Sequence, residues 1–333
     1  MLRYALVALA AALALILSAC GQAVPQAPAS QTPADSSAGG PIRVVASTSI
    51  IGDVVGQVGG EQVAVTTLVP VGGDAHSFAP SPQDIARVAE AQIVFVNGAG
   101  YEEFLARLLE SAGGAAELVE LSEGIALREL GEGEEHGHEG EEHAEGEEHA
   151  EGEEHGHGAL DPHTWTDPAN VKYWTAAIAE ALGRADAANA GLYQERAATY
   201  NAELDELDVW IGEQFAQVPE ERRLLVTDHA VFGYMADRYG LTQVGALLPG
   251  FSSSAAPSAQ DLAALQEEIR ELGVQAIFVG DVVNENLARQ IADDTGTRVV
   301  TILTESLTPP DGEGPTYIAY MRHNVTTMVE ALR

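Results

Sequence analysis

Between Ala187 and Gln217 the chain carries one long helical pattern, with Leu192, Tyr193, Ala197, Tyr200, Leu204, Leu207, Ile211 and Phe215 recurring at the spacing that puts them on one face. At 1.5 Å per residue such a helix spans about 45 Å, too long to form one layer of a small lobe. It predicts a strut that runs the length of the molecule and joins two lobes. What flanks it agrees. Before it, apolar strands at Ile42–Ser47, Val63–Val69 and Gln92–Asn97 alternate with helices at Ile51–Val58, Pro82–Ala89 and Glu102–Leu109. A further helix, Ala169–Leu182, is capped by Asp167 with Pro168 at its first position. After it, strands at Arg223–Thr227, Thr242–Leu247, Ala276–Val279 and Arg298–Ile302 alternate with helices at Val231–Tyr239, Ala259–Leu272 and Asn284–Thr295, and a helix Tyr317–Leu332 closes the chain. Strands apolar on both faces and separated by helices imply parallel sheets covered on each side. The expected fold is therefore α/β, with two (β/α) lobes, residues 42–185 and 218–333, joined by one rigid helix over 186–217. Ligands of such sheets bind beyond the carboxyl ends of the strands.

The N-terminus has a different character. Met1–Arg3 supplies a positive charge, Tyr4–Leu17 is apolar but short for a membrane span, and Leu17-Ser-Ala-Cys20 follows. Residues 1–20 read as an export signal whose LSAC resembles a bacterial lipobox, with Cys20 the lipidated first residue of the mature chain. Residues 21–41, rich in Pro, Ala, Ser, Gln and Gly, read as a flexible tether. Cys20 is the only cysteine. A metal in the body must therefore be held by His, Asp, Glu or water.

The formal charge is −35, which excludes the basic surface that nucleic acid requires and suits a cationic ligand. Twelve of the acidic residues are glutamates between Glu132 and Glu154, leaving −23 on the rest of the chain. The segment 132–158 repeats EEHxEG-like units in which His136, His138, His143, His149, His155 and His157 stand among glutamates and glycines. With nothing apolar to anchor it, this loop is expected to be disordered. Its composition permits weak, multivalent metal binding, although a solvated spacer is the alternative.

Four other residues carry the chemistry. In LDPHTWTDP, residues 160–168, two Asp-Pro pairs bracket His163 and stiffen the loop that holds it. Alone, His163 reads first as the cap or brace of a turn. His76 sits in the loop after the strand Val63–Val69, however, His229 directly follows Arg223–Thr227, and Glu305 follows Arg298–Ile302. Three imidazoles and a carboxylate from four loops, two per lobe, make an N/O site that zinc accepts and that can also hold manganese. Such a closed set reserves no position for a catalytic water, and no HExxH-like or nucleophile motif is present, so binding is favoured over hydrolysis. Asp228 is placed to orient its neighbours. Trp165, Phe78 and Phe232 are candidates for a dry wall around the ion or for plain core packing, and His323 reads as a surface or packing residue.

The stretches GGDAHSFAPSPQD (72–84), LDPHTWTDP (160–168), TDHAVFGYMADRYGL (227–241), SSSAAPSAQDLAAL (252–265), TESL (304–307) and GPTYIAYMRHNV (314–325) resemble the substrate-binding lipoproteins of zinc/manganese ABC importers. The resemblance extends from Ile42 to Arg333, and the acidic His-rich loop resembles the zinc-specific branch. It implies two lobes on a rigid helix with metal between them, and it implies that His76, His163 and His229 are ligands. Manganese-preferring members carry a carboxylate where this chain has His229, which leans toward zinc. The fourth position is usually Asp and is Glu305 here, whose longer arm can ligate directly, bind through water, or leave solvent in the fourth position. The expected function is an exported, lipid-anchored, monomeric receptor that binds Zn2+ and delivers it to a permease with a separate ATPase. A manganese receptor, a zinc hydrolase and a zinc-scavenging adhesin that uses mainly the loop are the alternatives.

Overall fold

The computed structural model describes residues 40–114, 116–129, 160–281 and 284–333. The signal, Cys20, nearly all of the tether and the six loop histidines lie outside the described residues.

The first lobe is built from β1 (Ile42–Ala46), α1 (Ser49–Gly59), β2 (Val63–Thr67), α2 (Pro82–Glu90), β3 (Ile93–Val96), α3 (Leu105–Ala112) and β4 (Glu117–Glu120). Its strands are all parallel, in the order β2-β1-β3-β4. The central strands are apolar on both faces because helices cover both; β3, IVFV, is buried at every position. Helix α2 begins where the sequence says it must. Ser81 accepts from the Asp84 N–H while Asp84 accepts from the Ser81 N–H, a capping box with Pro82 at its first turn. After α4 (Pro168–Ala185) and α5 (Ala190–Phe215), the second lobe repeats the plan with β5 (Leu224–Thr227), α6 (Gly233–Tyr239), β6 (Thr242–Ala246), α7 (Ala259–Leu272), β7 (Ala276–Gly280), α8 (Asn286–Thr295), β8 (Arg298–Ile302) and α9 (Tyr317–Leu332). Its parallel order is β6-β5-β7-β8. In each lobe the chain reverses its direction of travel across the sheet beside the first strand, which creates a crevice at the carboxyl end.

The long helix α5 has 26 residues and spans about 39 Å. Asp186 ends α4, and its carboxylate accepts from the Asn189 amide and the Tyr193 hydroxyl, so residues 187–189 form a turn ahead of α5. Seven of the eight expected apolar positions are buried, and Leu192 is half-buried. They sit in one continuous core that also takes in Val44 and Val94 of the first sheet, Trp174 of α4, Leu225 of the second sheet, and Tyr317 and Val325 of α9. Both lobes therefore share an interior through α5. A second, smaller cluster, including Val226, Val244, Ile269, Ile277 and Ile291, belongs to the second lobe alone.

Two features depart from the sequence expectation. Strand β4, ELVE, alternates half-buried and exposed residues at the sheet edge and gives no apolar run to read. Helix α3 starts at Leu105, three residues later than expected, because the buried Glu102 carboxylate turns inward to accept from Ser47 Oγ and the Asn97 and Gly98 N–H groups. Among the described residues no helix is long and apolar enough to cross a membrane.

Candidate metal centre

His76, His163, His229 and Glu305 converge between the lobes, each offering a ligand atom within 4.8 Å of the others. Ligand atoms around a tetrahedral ion bound at about 2.1 Å are about 3.4 Å apart, so the four atoms are gathered near one point and must draw in somewhat to share an ion. How each side chain reaches this point differs.

The Asp161 carboxylate fixes His163 from two sides: Oδ1 accepts from the His163 main-chain N–H at 2.9 Å and from its Nδ1 at 2.9 Å. Pro162 holds the backbone between them, and its carbonyl accepts from the Asn97 amide at 2.8 Å. His229 repeats the device with its neighbour. Asp228 Oδ1 accepts from the His229 N–H at 2.7 Å and from Nδ1 at 3.0 Å, while its Oδ2 takes the Gly280 N–H at 2.8 Å. A side chain at Gly280 would drive its Cβ to 2.3 Å from Thr304 Oγ1 and 3.0 Å from that carboxylate, so only glycine lets β7 approach this closely. With Nδ1 engaged as a donor, each ring can offer a metal only its Nε2, and both Nε2 atoms lie at the centre. His76 is held more loosely, on the loop between β2 and α2. Asp74 Oδ1 accepts its main-chain N–H at 2.8 Å, and Asp74 also accepts from Ser253 of the second lobe.

Glu305, on the loop after β8, accepts from His229 Nε2 at 3.0 Å and lies 3.7 Å from His163 Nε2. Its other oxygen accepts a short hydrogen bond from the Tyr101 hydroxyl. The Nε2 atoms of His76 and His163 are buried and have no partner. Lone pairs aimed at one point and left unsatisfied are costly unless a cation takes them.

The electrostatics fit the same reading. Burial opposes charge on His229, but its hydrogen bonds to Asp228 and Glu305 prevail and raise its pKa to about 10. Burial would raise Glu305; the His229 hydrogen bond and the neighbouring imidazoles instead hold it at about 2. His76, with burial as the main cause, is shifted below its ordinary value. Without an ion, His229 and Glu305 form an ion pair where metal would sit.

Trp165 lines this centre, its ring 5.2 Å from that of His163, and its indole N–H donates to the Thr304 carbonyl at 3.3 Å. Tyr101 packs edge-on against His76 at 5.0 Å and close to Trp165 at 5.0 Å. Phe251 approaches His163 at 6.1 Å. Phe78 instead pairs with Phe104 at 4.9 Å, and Phe232 belongs to the general core. His323 is half-buried on α9. Sequence reasoning missed Tyr101, Phe251 and the orienting role of Asp161. A signal for Tyr101 existed in Asn97-Gly-Ala-Gly-Tyr101, a turn at the carboxyl end of a central strand where ligands of such sheets gather.

A family model described as zinc-uptake complex component A, periplasmic, matches residues 44–331. The manganese-binding lipoprotein MntA of Halalkalibacterium halodurans is 30% identical over 321 residues, covering 96% of this chain and 95% of that protein. The manganese ABC transporter substrate-binding lipoprotein PsaA of Streptococcus pneumoniae is 26% identical over 305 residues, covering 90% of this chain and 91% of its own. Among solved structures, the periplasmic zinc binding protein TroA from Treponema pallidum superposes with a TM-score of 0.75 at 24% identity, covering 88% of this chain and 99% of that one. The Mn-bound periplasmic metal binding protein from Candidatus Liberibacter asiaticus gives 0.73 at 24% identity, covering 88% and 100%. At these identities the structures speak for the fold of two parallel-sheet lobes. The family match spans nearly the whole described body, and the chain belongs to the periplasmic zinc-uptake component A family, whose members are transport components and not enzymes.

Proposed function

We propose that this protein captures Zn2+ outside the cytoplasmic membrane with His76, His163, His229 and Glu305 and hands it to a permease driven by a separate ATPase. The observation that carries the reading is the pair of buried, unpartnered Nε2 atoms of His76 and His163, converging with His229 and Glu305 from both lobes. Three neutral imidazole nitrogens and one carboxylate form a set that zinc favours over harder ions, and the family description names zinc uptake. A manganese cargo is the second reading. It is favoured by the names of the relatives from Halalkalibacterium and Streptococcus and by the carboxylate of Glu305.

Export and anchoring rest on Leu17-Ser-Ala-Cys20 and on the lipoprotein names of those relatives. In this reading residues 1–20 are removed, Cys20 excepted, residues 21–41 form the leash, and the body works as a monomer. Because α5 is buried in a core common to both lobes, capture and release proceed through shifts of the ligand loops, with little hinge opening. The His-rich loop 132–158 gathers metal weakly and is dispensable for the main site.

Calorimetric titration of the body beginning after Cys20, with and without residues 132–158, tests this directly. One tight Zn2+ site that survives loop deletion and exceeds Mn2+ in affinity is the expected result. Tight binding that leaves with the loop sinks the site assignment, and tighter Mn2+ binding sinks the zinc assignment.

A further inference from the structure

Arg128 lies outside the converging ligands, just ahead of the bridge between Glu129 and Leu160 at the base of the His-rich loop. Its guanidinium nevertheless reaches two carboxylates. Nη1 donates to Asp161 Oδ2 at 3.0 Å, and Nε donates to Asp237 Oδ2 at 2.7 Å. Asp161 is fully buried and is the residue whose other oxygen holds His163. Asp237 is on α6, in the second lobe. The Tyr234 hydroxyl, also on α6, accepts from the Arg128 N–H at 3.1 Å and donates to the Asp161 carbonyl at 2.8 Å.

The fit is specific. A Cβ at Gly233 would fall 1.8 Å from Arg128 Nη1 and 2.7 Å from Asp161 Oδ2, so the first residue of α6 must be glycine for the guanidinium to reach its partner. Next to Asp237, Arg238 pairs with Asp167 at 3.2 Å and with Asp208 of α5. Helix α6 is thus tied to both ends of the segment that presents His163.

On the reading that His163 is a ligand, we propose that Arg128 is a positioning residue for metal binding: it holds Asp161, and through it His163, only while α6 of the second lobe is in place. A buried carboxylate needs a compensating charge, and Arg128 supplies it. The planar fork lets one guanidinium serve both acids from fixed, separate donors, Nη1 and Nε, a geometry that the compact lysine ammonium does not reproduce. Separation of α6 would strip Arg128 of its second anchor and loosen His163, so the contact between the lobes and the grip on the ion are coupled. Partners behind metal ligands are worth about 10- to 100-fold in affinity, and a similar loss is expected here.

The test compares Zn2+ affinity and dissociation rate, measured with a chelator chase, for Arg128→Ala, Arg128→Lys, Asp237→Asn, Gly233→Ala and His163→Ala in the otherwise intact chain. Arg128→Ala and Gly233→Ala are expected to weaken binding about 10- to 100-fold, mainly through faster release, with partial recovery in Arg128→Lys. Asp237→Asn, which leaves the Asp161 contact in place, is expected to speed release by a smaller factor. Visible spectra of the Co2+-loaded Arg128→Ala protein should shift relative to the parent, a change that lost stability alone does not produce. Parental affinity, release and spectrum in both Arg128→Lys and Asp237→Asn would overturn the proposal even if Arg128→Ala does not fold. Parental binding by His163→Ala would instead overturn the ligand reading beneath it, so the two failures are distinguishable.

Discussion

His163 and His229 are held by one device and His76 by another. The first two rings each present Nδ1 to a buried carboxylate one or two residues away, Asp161 or Asp228, which also takes the same residue's main-chain N–H. His76 has its backbone tied to Asp74, and it is less buried than the other two. Two of the candidate ligands thus have ring and backbone fixed together, and the third is fixed through its backbone alone. A ring fixed in advance gives affinity, because little conformational freedom is lost on binding, whereas a ring without a partner is freer to turn toward or away from an ion. The loop of His76 also contacts the second lobe where Asp74 accepts from Ser253 and where the Gly72 N–H donates to Ser306 Oγ at 2.8 Å.

The largest expected effect comes from removing a fixed ligand. His163→Ala and His229→Ala should each lower Zn2+ affinity by more than about 100-fold, beyond the range for groups behind a ligand, while His76→Ala should chiefly accelerate release. Equal changes in both rate constants for all three variants would erase the distinction. Next come the carboxylates: Asp161→Asn and Asp228→Asn should cost about 10- to 100-fold in affinity. Asp228→Asn should also destabilise the metal-free protein by about 1–2 kcal/mol, since the Gly280 N–H contact is disturbed as well, and thermal melting reads that directly.

A third prediction concerns protons. His229 in the folded, metal-free protein has its pKa raised from 6.5 to about 10. Its contribution to stability is therefore complete below pH 6.5 and is lost as the pH rises from 6.5 through about 10. Glu305, held down from 4.5 to about 2, contributes above pH 4.5 and loses its contribution as the pH falls toward 2. Melting temperature against pH should decline on the alkaline side, and His229→Gln should flatten that decline. Zn2+ must displace the His229 proton, so binding near neutral pH should release about one proton from this residue and weaken with acidification. Calorimetry in buffers of different ionisation enthalpy measures the release. The smallest effect belongs to the lobe contact over His76: Ser253→Ala should speed release about two- to tenfold, the worth of a single hydrogen bond, and lower affinity by about the same factor.

Much of this was legible in the sequence because it depends on local pattern. Strand–helix alternation gave both lobes, and the apolar stripe of α5 gave the strut and its buried face. Each of the three histidines was readable because it sits on a loop after a strand or between prolines. Strand β4 was hidden because an edge strand needs no apolar run. Tyr101 and Arg128 were hidden for a different reason: their roles exist only once residues 204 and 33 positions away are brought alongside, Glu305 for the tyrosine and Asp161 for the arginine. Local periodicity holds no record of such pairings.

X-ray absorption on the Zn2+-loaded protein tests the central claim most directly, because it counts the atoms around the ion. The account predicts about three imidazole nitrogens and one or two oxygens near 2.0–2.1 Å, unchanged when residues 132–158 are removed. A shell dominated by oxygen, or one that changes when the loop is deleted, would contradict it.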